Sequence, residues 1–213
     1  MIVESITGLK SLIKQFGLSV DSQRADQLFK YLALLIKWNA RINLTAATDW
    51  AALEPLFREG IWASKIYPVQ ALFHLDIGTG AGFPAIVLKI LNPGIRLEMI
   101  ESRTRKGAFL ETVVHTLGLN ESYVHINRLD AFLKNTESNQ SWDCITWKGL
   151  KLCSSDLAEL QRHAHSSTQF WMFHGKEQAV ENPNTMERFF TRLRSETLST
   201  MKEWHLSVFL IRE

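Results

Sequence analysis

Apolar and polar positions change rhythm at about residue 70. Before that point the spacing is helical. In "SITGLKSLIKQFGL", Ile6, Leu9, Leu12, Ile13 and Phe16 fall on one helical face, and Gly17 is the expected stop. In "SVDSQRADQLFKYLALLIKWNARINLT", Leu28, Tyr31, Leu32, Leu35 and Ile36 mark a second face, with Asp21 or Ser22 as the expected cap. Residues 5–41 thus read as helical with one break, and 49–66 as a further short helix or pair. Residues 1–68 form an expected N-terminal helical lobe.

From about residue 71 short apolar runs alternate with amphipathic stretches. The pattern predicts strands at 71–77, 96–101, 123–127, 142–147 and 168–173, and helices at 84–91, 103–117 and 152–164. Alternation at this spacing predicts an α/β domain over 69–213, with a mostly parallel sheet covered on both faces. Near the C-terminus "TLSTMKEWHL" and "SVFLIRE" read as two strands with little between them, hence an antiparallel edge.

Composition narrows the class. A chain of 213 residues with 46% hydrophobic and 22% charged residues is sized and balanced for one globular domain with a small lobe. No segment reaches the roughly 18–20 apolar residues that span a bilayer. "MIVESITGLK" lacks the basic and apolar regions of a signal peptide, so a cytoplasmic protein is expected. Cys144 and Cys153 do not make a disulfide framework. His163 and His165 lack a set of metal-ligand partners, so no metal is expected. A net charge of +2 permits nucleic-acid binding without arguing for it.

The candidate chemistry starts in "FHLDIGTGAGFPAIVLKI", residues 73–90. An apolar run stops at Asp76, and Gly78, Gly80 and Gly82 follow at alternate positions. Ligands of open α/β sheets sit at the carboxyl ends of the strands, and glycines let the backbone approach them. Pro84 suits a first helical turn. A dinucleotide fingerprint needs Gly or Ala where Phe83 stands, and the third glycine comes one residue early. A nicotinamide oxidoreductase is therefore disfavoured, and a P-loop is absent. The pattern D-x-G-x-G-x-G suits a ligand without pyrophosphate, S-adenosylmethionine (SAM). Glu101 ends the second predicted strand and can accept ribose hydroxyls. Asp130 follows the third, where it could meet the adenine amino group. Each acid alone reads as a cap or a solvated strand end. Three acids after successive strands, with the glycine loop, read as a site.

These residues resemble the RsmG (GidB) family, SAM-dependent methyltransferases that modify N7 of a guanine in 16S ribosomal RNA. The resemblance covers most of the chain. It rests on "KWNARINLT" (37–45), "LDIGTGAGFPAI" (75–86), "IESRTRKGAFLETVVHTLGL" (100–119), "NRLDAF" (127–132) and, weakly, "FHGKE" (173–177). It implies a class I SAM-dependent methyltransferase fold: Rossmann-like, with a mostly parallel seven-stranded sheet, an antiparallel edge and an N-terminal helical lobe. It also implies SAM contacts at Gly78 and Phe83, with Phe83 as an apolar wall, and at Leu129 and Asp130 around the adenosine. Glu101 would take the ribose, and Arg128 matches a family arginine. RNA is the implied partner.

Departures cluster on the acceptor and methionine side. "EGIWAS" (59–64) stands where the family usually has R-H-I-L-D-S, so its His and Asp become Gly60 and Ala63. "TWK" (146–148) replaces S-R-A, putting Trp147 where an arginine would meet the SAM carboxylate; Lys148 is a substitute charge. "FHG" replaces P/L-K-G, with His174 for Lys, and Lys176 follows as a further substrate-side candidate. Trp147 and Trp62 read either as stacking surfaces for the acceptor or as packing residues. His174 reads as a substrate contact or a structural donor. Arg103, Arg105 and Lys106 at a helix start read as phosphate contacts or a solvated face. The resemblance thus leaves two functions open: transfer to guanine N7, or SAM binding with little transfer, serving RNA binding or regulation.

Overall fold

The computed structural model describes residues 2–18, 21–137, 139–175, 186, 188–197 and 204–212. Three helices make up the N-terminal lobe: α1 (Ile2–Gln15), α2 (Ser22–Ile42) and α3 (Trp50–Ile66). Of the two cap candidates, Asp21 does the capping; its Oδ1 accepts the Arg24 N–H at 2.7 Å. Asp49 caps α3 in the same way, through the Ala52 N–H at 2.9 Å.

The second part alternates strands and helices: β1 (Phe73–Ile77), α4 (Ala85–Leu91), β2 (Arg96–Ile100), α5 (Thr104–Leu117), β3 (Ser122–His125), α6 (Leu129–Lys134), β4 (Cys144–Lys148), α7 (Ser154–Arg162) and β5 (Gln169–Gly175). Strands β6 (Phe190–Thr197) and β7 (Trp204–Ile211) follow. One seven-stranded sheet has the order β3-β2-β1-β4-β5-β7-β6. Strands β1 to β5 are mutually parallel, and β7 runs antiparallel to both β5 and β6. The order reverses between β1 and β4, so the loops leaving these two strands diverge and open a crevice at their carboxyl ends.

Side chains alternate across the strands and feed two cores. Leu97, Met99, Cys144, Trp171 and Phe173 face the lobe and join Tyr31, Phe57, Ile61, Val87 and Phe109. Leu75, Ile77, Ile145, Trp147 and Phe170 face the other way and join Phe132, Leu157 and Leu160. The lobe therefore shares one core with the sheet. No helix among the described residues is long and apolar enough to cross a membrane.

The C-terminal hairpin differs from the expected one. Residues 198–203 of "TLSTMKEWHL" lie outside the described residues; its end, "WHL", runs on into "SVFLI" as the single strand β7, and the partner β6 lies earlier, in "FTRLRSET". The reason is burial. β7 is an inner strand with a buried apolar centre, whereas β6 is the edge and exposes nearly everything after Phe190, which hides it in a polar run. Helix α6 has no counterpart among the expected elements, since six residues are too few to display a helical period.

Candidate active site

At the end of β1 the chain must turn sharply over the neighbouring strand. The Gly78 and Thr79 amides both donate to the Ile100 carbonyl, at 2.8 and 3.1 Å, which ties the loop to β2. Gly80 has φ of +61°, a conformation that a side chain strains, and a Cβ there would meet only ordinary contacts, the Gly78 carbonyl at 3.7 Å and Lys106 Nζ at 4.0 Å. Its amide donates to Glu101 Oε2 at 2.9 Å. The other oxygen of Glu101 accepts the Arg103 amide at 2.8 Å, at the start of α5. The carboxylate thus clamps the glycine loop to the first turn of the next helix. It is 6% exposed and still reaches the crevice.

A cavity of about 620 Å³ opens there, within the ~300–1,000 Å³ of small-molecule sites. Gly78, Gly80 and Glu101 form one wall, and Arg128, Leu129 and Asp130 at the start of α6 form the second. The loop after β4, from Leu150 to Cys153, forms the third. Arg128 and Asp130 pair across the rim, Nε to Oδ1 at 3.3 Å. Ile77, Ile100, Leu129 and Leu150 give the cavity apolar surface for a purine, and Glu101 and Asp130 give it acceptors. A Cβ on Gly78 would meet Leu150 Cδ1 at 2.2 Å, so the loop after β4 leans directly over the missing side chain. The donors and acceptors, the missing side chains and the size fit an adenosine carrying a short polar chain. Among the expected residues, Gly78, Gly80, Glu101, Arg128, Leu129 and Asp130 come together here.

Other expected residues lie elsewhere. Gly82 and Phe83 turn from the cavity toward the lobe. A Cβ on Gly82 would stand 2.7 Å from the Tyr31 hydroxyl and 2.7 Å from Ile86, so this glycine makes room for packing. Phe83 is not an apolar wall of the cavity; its ring meets Tyr31 at 5.3 Å and Phe57 at 5.1 Å between centroids. The Tyr31 hydroxyl donates to the Ala81 carbonyl at 2.7 Å and fastens α2 to the loop. Asp76 is buried beneath the loop and does not line the cavity.

Trp147 also needs correcting as a cofactor contact. It is 1% exposed and packs in the core on the face away from the lobe, because strand alternation turns it opposite to Thr146 and Lys148. Trp62 is half-buried against the lobe core. Lys148 Nζ bonds Glu59 Oε1 at 2.6 Å and sits 4.5 Å from the Trp204 ring centre. Burial pushes the Glu59 carboxyl up, and Lys148 partly offsets it. His174 is not free to meet a substrate: it is buried, with Nε2 at 2.9 Å from Ser207 Oγ and Nδ1 at 3.1 Å from the Gly175 carbonyl. Gly60 and Ala63 are buried in α3; a Cβ on Gly60 would lie 2.6 Å from Val87 Cβ. Lys176 lies outside the described residues.

Pattern reading did not single out the third wall. Leu150, Lys151, Cys153 and Asp156 line the cavity without a motif of their own. Their only sequence signal is position, since they follow a parallel strand at its carboxyl end. Of the basic cluster, Arg103 and Lys106 line the cavity, and Lys106 also reaches the Leu44 carbonyl at 3.1 Å, bridging to the lobe.

Residues 24–206 match the family model GidB, described as rRNA small subunit methyltransferase G. The chain belongs to this family. A curated relative, the ribosomal RNA small subunit methyltransferase G of Geobacillus thermodenitrificans (strain NG80-2), is 32% identical over 142 residues, 66% of this chain and 60% of the relative. The chain thus spans about 60% of that relative's length. Among solved structures, ribosomal protein L11 methylase from Lactobacillus delbrueckii subsp. bulgaricus matches with a TM-score of 0.61 at 15% identity, over 75% of this chain and 79% of that one. A SAM dependent methyltransferase from Aquifex aeolicus matches with a TM-score of 0.58 at 19% identity, over 80% and 97%. The fold of this GidB family member is that of the class I methyltransferases.

Proposed function

We propose that this family member is a SAM-dependent methyltransferase that places a methyl group on N7 of a guanine in small-subunit ribosomal RNA, in the cytoplasm. The observation that carries the reading is the Glu101 clamp: one carboxylate bonds the Gly80 and Arg103 amides and borders the cavity at the switch point of the sheet. Family membership supplies the acceptor. The cofactor supplies an electrophilic methyl on a sulfonium. The guanine N7 lone pair would be the acceptor for that methyl, and N7 carries no proton to remove. The protein then needs to align the groups and exclude water rather than provide a general base. Glu101 would hold the ribose, Leu129 and Asp130 the adenine end, and Gly78 and Gly80 the methionine end. Arg103, Lys106 and Arg128 at the rim would meet RNA phosphate.

A second reading has its own observation. Gly60, Ala63, Trp147 and His174, which depart from the family at the acceptor side, are all buried and engaged in packing or internal hydrogen bonds. This favours a SAM- or SAH-binding RNA module with little transfer. Calorimetry with SAM and SAH separates the cofactor reading from its absence. Glu101→Ala is expected to weaken binding roughly ten- to a hundredfold. No binding by the unaltered protein would end both readings. Methylation of small-subunit RNA from a strain lacking the N7 modification then decides between transfer and binding alone.

A further inference from the structure

Between the sheet and the lobe lies a line of polar side chains that the cavity does not use. Tyr67, just past α3, places its hydroxyl 3.1 Å from His74 Nδ1. His74 Nε2 lies 2.9 Å from Thr146 Oγ1 on the adjacent strand. The Thr146 hydroxyl donates to Asp76 Oδ1. All four groups are buried, His74 and Thr146 completely. Residues 74 and 76 of β1 and 146 of β4 share one face, which is why the three side chains meet.

Hydrogen positions follow from this order. A hydroxyl that gives its proton to an ionised Asp76 can only accept from His74, so Nε2 carries the imidazole proton. Nδ1 is then an acceptor, and the Tyr67 hydroxyl donates to it. Burial lowers the His74 pKa to about 3, which keeps the ring neutral, as this arrangement requires. Every donor in the chain points toward Asp76.

Asp76 immediately precedes Ile77 and Gly78, both of which line the cavity. Its Oδ2 is buried and has no hydrogen-bond partner among the described residues. A fold seeking only stability gains nothing from such a carboxylate, since an unpaired buried acceptor costs free energy. We propose that Tyr67, His74 and Thr146 are positioning residues that orient Asp76 through a one-way hydrogen-bond chain and leave its second oxygen unpaired, so that the charge held beneath the glycine loop attracts the ammonium group of the cofactor. This rests on the SAM reading above. Burial raises the Asp76 pKa to about 7 even though the Thr146 and Thr79 hydroxyls lower it, so at neutral pH the Thr146 bond changes how much of the carboxyl is ionised. Other groups bear on it too. Glu101, just past β2, raises it and Lys148 from β4 lowers it, while Tyr31 from α2 and Cys144 from β4 feel its charge.

The first measurement needs no cofactor. The Asp76 carboxyl is titrated by carbon NMR in the unaltered protein, Thr146→Val and Thr146→Ser. Thr146→Val is expected to raise the midpoint by about one pH unit, the worth of one buried hydrogen bond, and Thr146→Ser to restore it. Nitrogen NMR of His74 is expected to show the proton on Nε2 at pH 8. An unmoved midpoint, or a proton on Nδ1 at that pH, would overturn the chain. If Thr146→Val does not fold, Tyr67→Phe removes only the distal hydroxyl and is expected to raise the midpoint by a smaller amount. The second measurement is SAM binding by calorimetry from pH 6 to 8. Thr146→Val is expected to bind roughly fivefold more weakly near pH 7, with the deficit growing toward tenfold at pH 6 and shrinking at pH 8. Equal affinity in variant and unaltered protein across this range, beside a shifted carboxyl midpoint, would overturn the cofactor half of the proposal. No SAM binding at all would instead overturn the functional reading and that same half, while the NMR titration still decides the chain.

Discussion

The two sides of β4 carry opposite kinds of residue. On the cavity side, past its carboxyl end, the walls are backbone, acids and the loop from Leu150 to Cys153, with no atom closer than 3.7 Å to a methyl group built on Gly80. On the side toward α3, Gly60, Ala63 and His174 are buried, and Lys148 is held by Glu59. The first region is built to receive something; the second is already filled by its own neighbours. A departure from a family pattern therefore means different things in the two places. In the cavity it would alter recognition, whereas near α3 and β4 it first has to satisfy packing.

The sharpest way to break this contrast is Trp147→Arg. If Trp147 bordered the cofactor, an arginine would tighten SAM binding by pairing with its carboxylate. With the indole in the core, the expected outcome is unfolding. Losing the aromatic costs about 3–5 kcal/mol and burying the charge adds more, so the total rivals the whole stability of a domain. A folded variant in thermal melts that binds SAM more tightly would return Trp147 to the site.

Asp76→Asn comes next and sharpens the boundary between the regions. The carboxyl titrates near 3.8 when unfolded and at about 7 when folded, so protonation favours the folded state. That contribution is full below the unfolded value and is lost as pH rises through about 7. The asparagine lacks this loss. The variant is expected to match the unaltered protein near pH 4 and to exceed it at pH 8, by up to ~4 kcal/mol, while binding SAM more weakly. Denaturant unfolding at the two pH values, read beside calorimetry, checks both signs.

Gly60→His introduces the residue that the family pattern usually has and tests whether the seam between α3 and α4 has room. With Val87 Cβ 2.6 Å from the position of the new Cβ, overpacking is expected to cost roughly 1–3 kcal/mol or more. A neutral change in the denaturation midpoint would show that α3 can move off α4. Gly80→Ala has the smallest expected effect on stability, about 1–2 kcal/mol from the backbone angle, because no atom blocks its methyl group. Its effect on SAM affinity should exceed its effect on stability, since the methyl group enters the cavity. A reversed ranking would make the loop a turn rather than a cradle.

Local patterns carried the cavity. Asp76, the alternating glycines, Glu101 and Asp130 each end a strand or begin a helix, and strand ends at the carboxyl edge converge whenever the sheet is parallel. Gly78, Gly80, Glu101 and Asp130 accordingly line one cavity. Phe83 and Gly82 belong to the same motif yet serve the lobe, because the loop has two sides and the motif does not say which side a residue faces. The edge strand β6 was illegible for a related reason: an edge that buries only Phe190 reads as polar loop.

The sequence by itself determined the alternation of strands and helices, the glycine turn, the acids after the strands and membership of the GidB family. These depend on residue type and short spacing, which survive in one dimension. The tertiary structure alone decided that Trp147 lies in the core, that Lys148 is paired with Glu59, and that Tyr67, His74, Thr146 and Asp76 form one line. Each of these depends on strand pairing across seventy or more residues, or on a helix packed against a sheet face. A step of one residue along a strand reverses the face a side chain occupies. That single geometric fact separates Trp147 from Lys148 and joins Thr146 to His74 and Asp76.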